Sequence, residues 1–111
     1  MNALTVAGRQ VPLDQDGFLE NLDDWSLEVA RALAAEEDIA FADEHVEVLQ
    51  LLRDFYAEFQ LSPATRPLIK YAALKLGPEK GNSQYLNRLF NGRPAKLAAR
   101  LAGLPKPTNC I

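Results

Sequence analysis

Apolar side chains alternate with polar ones only near the start of the chain, and recur every third or fourth position almost everywhere else. Leu4-Thr5-Val6-Ala7 and Gln10-Val11-Pro12-Leu13 are short β-prone runs around Gly8-Arg9, which predicts a small hairpin with Pro12 on an edge. Asp14-Gln15-Asp16-Gly17 has turn chemistry, and Phe18, Leu19 and Leu22 point toward a core. Trp25, Val29, Ala32 and Leu33 then form a helical stripe that predicts a helix from Asp24 to about Glu37, capped by Asn21 or Asp23. Asp38 to Ala42 breaks the pattern, and Asp43 is the expected cap of a second helix reaching about Gln60. Val48, Leu49, Leu51, Leu52, Phe55, Tyr56 and Phe59 cover one broad face of it, so it is the expected central helix.

Leu61-Ser62-Pro63-Ala64 reads as a tight connector to a helix carrying Leu68, Ile69, Tyr71, Ala72, Leu74 and Leu76 and stopping at Gly77-Pro78. Pro67 is tolerated only in a first turn, which puts the start of that helix near Thr65 unless an irregular turn precedes it. Glu79 to Asn82 is loop, Ser83 to Phe90 a short helix, and Asn91-Gly92-Arg93 a turn. Pro94 opens a last helix at its first position, with Leu97, Ala98, Leu101 and Ala102 inward and Gly103 at its end. The expected fold is mainly α, a small helical bundle with an N-terminal β-hairpin. Its body spans residues 1–103, and residues 104–111 form a flexible, extended C-terminal arm stiffened by Pro105 and Pro107.

The 111 residues suit one domain. No stretch has the length of a membrane span, and the first residues lack a basic leader and an apolar run, so the expected location is the cytoplasm and no membrane partner is expected. One cysteine, Cys110, excludes an intramolecular disulfide, and with His45 as the one further soft ligand it cannot build a zinc site. Charge is distributed unevenly. Residues 1–62 hold three basic and fourteen acidic side chains and residues 63–111 hold nine basic and one acidic, so the net charge of −3 hides halves at −11 and +8. Either the arm leaves a basic surface that attracts acidic partners, with Arg93, Lys96 and Arg100 as the candidate binding face, or the halves pack together and neutralise each other.

The candidate chemistry lies at the chain's end. Cys110 stands seven residues beyond Gly103, a reach of roughly 22 Å for an extended arm. Lys106 favours the thiolate and the carboxylate of Ile111 opposes it. With no histidine near it in sequence and no helix N-terminus on the arm, Cys110 is poorly equipped as a stand-alone enzyme nucleophile and better suited to carrying a group between partners that supply the activation. His45 reads as a packed or surface histidine, because a general base needs a partner that the sequence does not identify.

Leu13 to Leu19 with Asp23-Asp24-Trp25, Gly81 to Leu86 with Leu89-Phe90, and Ala102-Gly103-Leu104-Pro105-Lys106-Pro107-Thr108-Asn109-Cys110 together resemble the DsrC/TusE family of sulfur-carrier proteins. The last of these motifs is the most specific. The resemblance implies a helical fold with a hairpin and a mobile arm, no cofactor, and sulfur carried on Cys110 as a persulfide. DsrC proteins proper have a second cysteine eleven positions earlier, where this chain has Ala99, so the sequence is similar to the TusE branch. That branch implies a TusBCD-type donor complex and an MnmA-type thiouridylase with bound tRNA as partners, and thiolation of a wobble uridine as the outcome. Lys106 is then a candidate contact for the anionic persulfide or for a partner carboxylate. Two other readings stand beside it. One is a helix-turn-helix DNA-binding regulator around Leu61 to Ala64 with Arg66, Lys70 and Lys75, although direct nucleic-acid binding is not the expectation. The other is a docking subunit that transfers nothing.

Overall fold

The structure, a computed structural model, describes residues 2–107. Strand β1 (Asn2–Val6) pairs antiparallel with β2 (Arg9–Leu13), with Val6 opposite Arg9 and Thr5 opposite Gln10. Leu4, Val6, Val11 and Leu13 are buried on one face of the ribbon, while the Gln10 amide bonds the Thr5 hydroxyl at 3.1 Å on the other. The two-residue turn is Ala7-Gly8 rather than Gly8-Arg9, and both central residues have positive φ, 51° and 79°. That is the twist a two-residue hairpin needs, met at Ala7 by a residue type that resists it. Replacing Ala7 by Asn should raise stability by about 0.5 kcal/mol, read from the urea midpoint, because Asn tolerates the left-handed region at lower cost.

Asp14 closes the next turn, its carboxylate accepting from the backbone N–H groups of Asp16 and Phe18 at 2.9 and 3.0 Å. A single 3-10 turn at Leu22–Asp24 follows, capped by the Asn21 side chain. The first α-helix, α1 (Leu27–Glu36), begins later than the apolar spacing predicts, because the Ser26 hydroxyl caps it through Val29 N–H at 3.2 Å. Trp25 therefore stands outside the helix. Helix α2 (Asp43–Phe59) has Ala42, not Asp43, at its cap. There the ring of His45 does the work from inside the helix, its Nδ1 accepting the Ala42 N–H at 3.1 Å. Helices α3 (Thr65–Leu76), α4 (Ser83–Leu89, capped by Asn82) and α5 (Pro94–Leu101) complete the bundle.

Helix α5 sits at the centre, packing against α1, α2, α3 and α4. Seven of its eight residues are buried, a degree that α2 does not match, so the expectation of α2 as the central helix is corrected. The reason is side-chain size. Ala95, Ala98, Ala99 and Ala102 let four neighbours approach α5 closely, whereas the bulky stripe of α2 faces inward from one side only, leaving Phe59 48% exposed. The core gathers Phe18, Leu33, Leu49, Leu52, Leu68, Leu86, Phe90, Leu97 and Leu101 around it.

Ion pairs among the described residues join acids from residues 1–62 to bases from residues 63–107: Lys80 with Glu47, Arg93 with Glu37, Arg100 with Glu36 and with Glu37, and Lys106 with Asp16. The two oppositely charged halves of the sequence are folded onto each other at these points. No helix among the described residues is long and apolar enough to cross a membrane.

Candidate functional site: the root of the C-terminal arm

The arm begins at the C-terminal end of α5, where Gly103 takes a positive φ of 73°. Its N–H bonds the Arg100 carbonyl at 3.2 Å, and Leu104 N–H bonds the Ala99 carbonyl at 3.0 Å. This double closure reverses the chain, and it places Leu104 in the core, 3% exposed, as the apolar residue that accompanies such a stop. The chain past Gly103 thus stays on the body for several residues. Pro105 is exposed, but its carbonyl accepts the hydroxyl of the buried Ser62 at 2.5 Å. Lys106 lies 3.7 Å from Asp16 across a half-exposed gap, a weak pair that leaves its ammonium free to exchange partners. Pro107 is buried. Cys110 lies outside the described residues, as do Thr108, Asn109 and Ile111.

Two side chains that the sequence does not assign to the site, Trp25 from the apolar stripe and Arg53 from α2, hold the helix end from outside. Trp25 Nε1 donates to the Leu101 carbonyl at 2.8 Å, and Arg53 Nη1 donates to the Ala102 carbonyl at 2.7 Å. The Arg53 guanidinium also lies over the Trp25 ring, 4.1 Å from its centre, and burial draws the pKa of Arg53 below its usual value, though an arginine remains charged at neutral pH. Beside them a hollow of about 250 Å³ is lined by Leu22, Asp23, Arg53, Tyr56, Ala57 and Leu104. One sequence signal pointed here: Arg53 is a lone cation at the edge of α2's apolar face, in a half of the chain with three basic residues.

The proposed basic face divides. Arg93 and Lys96 line a cleft of about 330 Å³ with Thr65, Asn87, Gly92, Pro94 and Ala95, at the N-terminal end of α5. That is the opposite end of the helix from the arm, roughly 12 Å away at 1.5 Å per residue. Arg93 reaches Glu37 only at 3.9 Å with its side chain 57% exposed, so it remains available to a partner. Arg100 does not belong to that face. It is 8% exposed, bonds the Gly17 carbonyl through Nε at 2.8 Å, Glu36 through Nη2 at 2.7 Å, and Glu37 through Nη1. Helical spacing explains the turn inward, since Arg100 is on the side of α5 that meets the C-terminal end of α1, where two adjacent acids face the negative end of the helix dipole. Substituting Arg100 by Met should cost about 2 kcal/mol in urea unfolding. The Gly17 carbonyl loses its donor and the acids lose their counter-charge, while their own exposure limits the loss.

His45 is 5% exposed, with Nδ1 accepting from Ala42 N–H and Nε2 2.8 Å from the Leu89 carbonyl. The neutral tautomer with its proton on Nε2 satisfies both contacts, and the ring packs between Phe41 and Phe90 at 5.7 and 5.4 Å. Nδ1 is committed to the cap of α2 and Nε2 to joining α2 to α4, so His45 has no basic nitrogen to offer a thiol. Ala99, where the resemblance to DsrC proteins proper implies a second cysteine, is fully buried.

The family model described as DsrC like protein matches residues 5–111. The chain is 48% identical over all its 111 residues, and over the whole of the relative, to a protein named sulfurtransferase TusE from Photorhabdus laumondii. It is 49% identical, over 97% of this chain and 99% of the other, to a sulfurtransferase TusE homolog from Haemophilus influenzae. Among solved structures it is similar to DsrC of Allochromatium vinosum, with a TM-score of 0.87, 46% identity and coverage of 99% and 100% of the two chains. The oxidised DsrC subunit of dissimilatory sulfite reductase from Archaeoglobus fulgidus matches with a TM-score of 0.85 at 39% identity, again over 99% and 100%. A match of this extent in family model, sequence and fold leaves one assignment: the chain belongs to the DsrC-like family.

Proposed function

We propose that this protein is a sulfurtransferase of the relay type, a cytoplasmic carrier that accepts sulfur on Cys110 and hands it to another protein. The observation that carries the reading is a lone cysteine three residues beyond the last anchored position of the arm, in a chain whose full-length relatives bear the name sulfurtransferase TusE. The Cys110 thiolate attacks the outer sulfur of a donor persulfide, R–S–SH. A new S–S bond forms as the donor's S–S bond breaks, leaving Cys110–S–SH and a donor thiolate that takes up a proton from solvent. Attack by an acceptor cysteine on the outer sulfur repeats the exchange and restores the Cys110 thiol. No net oxidation or reduction occurs, and each step needs access and alignment. Activation must come from the partners, because the one histidine is occupied at both ring nitrogens.

The partners in this reading are a TusBCD-type donor complex and an MnmA-type thiouridylase holding tRNA, with thiolation of the wobble uridine as the outcome. Arg93 and Lys96, at the far end of α5 from the arm, supply a positive surface for an acidic partner. A helix-turn-helix regulator is less well supported, since the groove between α2 and α3 carries Glu47, Asp54 and Glu58, which repel a duplex. The test is mass spectrometry of the intact protein after incubation with a cysteine desulfurase, cysteine and the donor proteins. A gain of one sulfur mapping to Cys110, lost on adding the acceptor, is expected. Persistent absence of the adduct would leave the docking subunit as the better reading.

A further inference from the structure

The stop of α5 is buried, with Leu101 and Ala102 both fully covered, so its last carbonyls need protein donors where an exposed helix end would use water. Here the Leu101 carbonyl is taken by Trp25 and the Ala102 carbonyl by Arg53, the two side chains are stacked on each other, and Ser62 then takes the Pro105 carbonyl. These donors come from three separate places: the turn before α1, the middle of α2, and the connector between α2 and α3. Gly103 lies so close to the Trp25 ring that a Cβ there would stand 2.7 Å from Cγ. Side chains brought together from such distant parts of the chain act on the direction in which the following residues leave.

Resting on the proposed carrier function, we infer that Trp25, Arg53 and Ser62 are positioning residues for the reactive cysteine. They anchor the arm at residues 101–105, and with Pro107 buried just beyond them Cys110 is tethered from Pro107 and not from Gly103. Three residues at ~3.1 Å allow a reach of about 9 Å, against roughly 22 Å for seven. The accessible volume shrinks by the cube of that ratio, about thirteen-fold, and the effective concentration of the thiol at a correctly docked partner rises by up to the same factor. The anchor therefore favours a partner that binds beside the arm root and receives the cysteine close to the body. Arg53 and Trp25 do not touch the sulfur in this account. They act through the backbone that carries it.

Full-length Ser62→Ala, Arg53→Ala and Arg53→Lys proteins test this. With a persulfide-loaded donor protein, the second-order rate of sulfur acceptance should fall about three- to ten-fold in both alanine variants, through a higher half-saturating donor concentration, and recover in part with Arg53→Lys, which can still donate to Ala102. Alkylation of Cys110 by iodoacetamide, a small reagent with no docking requirement, should change less than about two-fold. A nitroxide attached to Cys110 should broaden only amides near Pro107 in the parent protein, and a wider set in the alanine variants. Unchanged transfer in folded Ser62→Ala and Arg53→Ala proteins overturns the inference, as does alkylation that falls in parallel with transfer. If Arg53→Ala does not fold, Ser62→Ala decides by the same criteria. If the parent protein accepts no sulfur, the carrier function fails, and the nitroxide pattern still decides whether the root is anchored: broadening that spreads equally in parent and variants overturns it.

Discussion

In the proposed relay, serine in place of Cys110 should abolish sulfur acceptance and leave the stability of the body within about 0.5 kcal/mol of the parent. Oxygen cannot take the place of the thiolate, which in that relay is both the nucleophile in the first exchange and the atom that retains the outer sulfur afterwards. No second group rescues the step. The chain has one cysteine, and the ring of its one histidine is locked between Ala42 and Leu89. Stability is expected to hold because the contacts described at the arm root, from the Leu101 carbonyl to the Lys106 ammonium and the buried Pro107, all precede position 108. Mass spectrometry under donor conditions reads the first half of this prediction and urea unfolding the second. A residual one-sulfur adduct on the serine protein would contradict it.

Gly103→Ala should cost about 3 kcal/mol in urea unfolding, several times the effect of the same change at Gly8. Two penalties add at Gly103. A positive φ of 73° costs an L-residue about 1 kcal/mol or more, and the new Cβ would lie 2.7 and 2.8 Å from Trp25 Cγ and Cβ. That ring cannot step aside cheaply, since its Nε1 is bonded to the Leu101 carbonyl and its face is covered by Arg53. Gly8 isolates the first penalty: its φ is 79°, but a Cβ there meets nothing within 4 Å, so Gly8→Ala should lose only about 1 kcal/mol. Equal losses at the two sites would mean that the Trp25 ring moves freely, and with it the anchor of the arm.

How much of this was legible in the sequence depends on the range of the interactions concerned. The stops at Gly77 and Gly103 and the proline opening of α5 are readable, and Thr65 is one of the two starts that Pro67 allows for α3, because each is set by the conformational limits of one residue and its neighbours. The hairpin was readable too, though its turn fell one residue early, at Ala7-Gly8, because Ala does not announce a left-handed conformation. The start of α1 was misplaced for a related reason. Trp25 fits the apolar stripe by spacing, and only Ser26, an unremarked hydroxyl, stops the helix from reaching it. Of the candidate site, Cys110, Lys106 and the two prolines stood out because they are rare or stiff residues at the end of a chain.

Arg100 shows the limit of reading charges along a chain. In sequence it is one of nine bases in the second half and looks interchangeable with Arg93 and Lys96, but in the fold it is buried against Glu36, Glu37 and the Gly17 carbonyl. The same holds for the charge polarity as a whole, part of which is offset by pairs between the halves. What sequence alone determined is local: where helices begin and end, which faces are apolar, and which residue can carry a group, since these follow from φ preferences, side-chain spacing and the chemistry of a thiol. Tertiary structure alone decided that α5 is the central helix, that Arg100 is an internal tie, and that the arm is anchored through Trp25, Arg53 and Ser62. Those three contacts span 76, 49 and 43 residues, and no periodicity or spacing rule reaches across such separations.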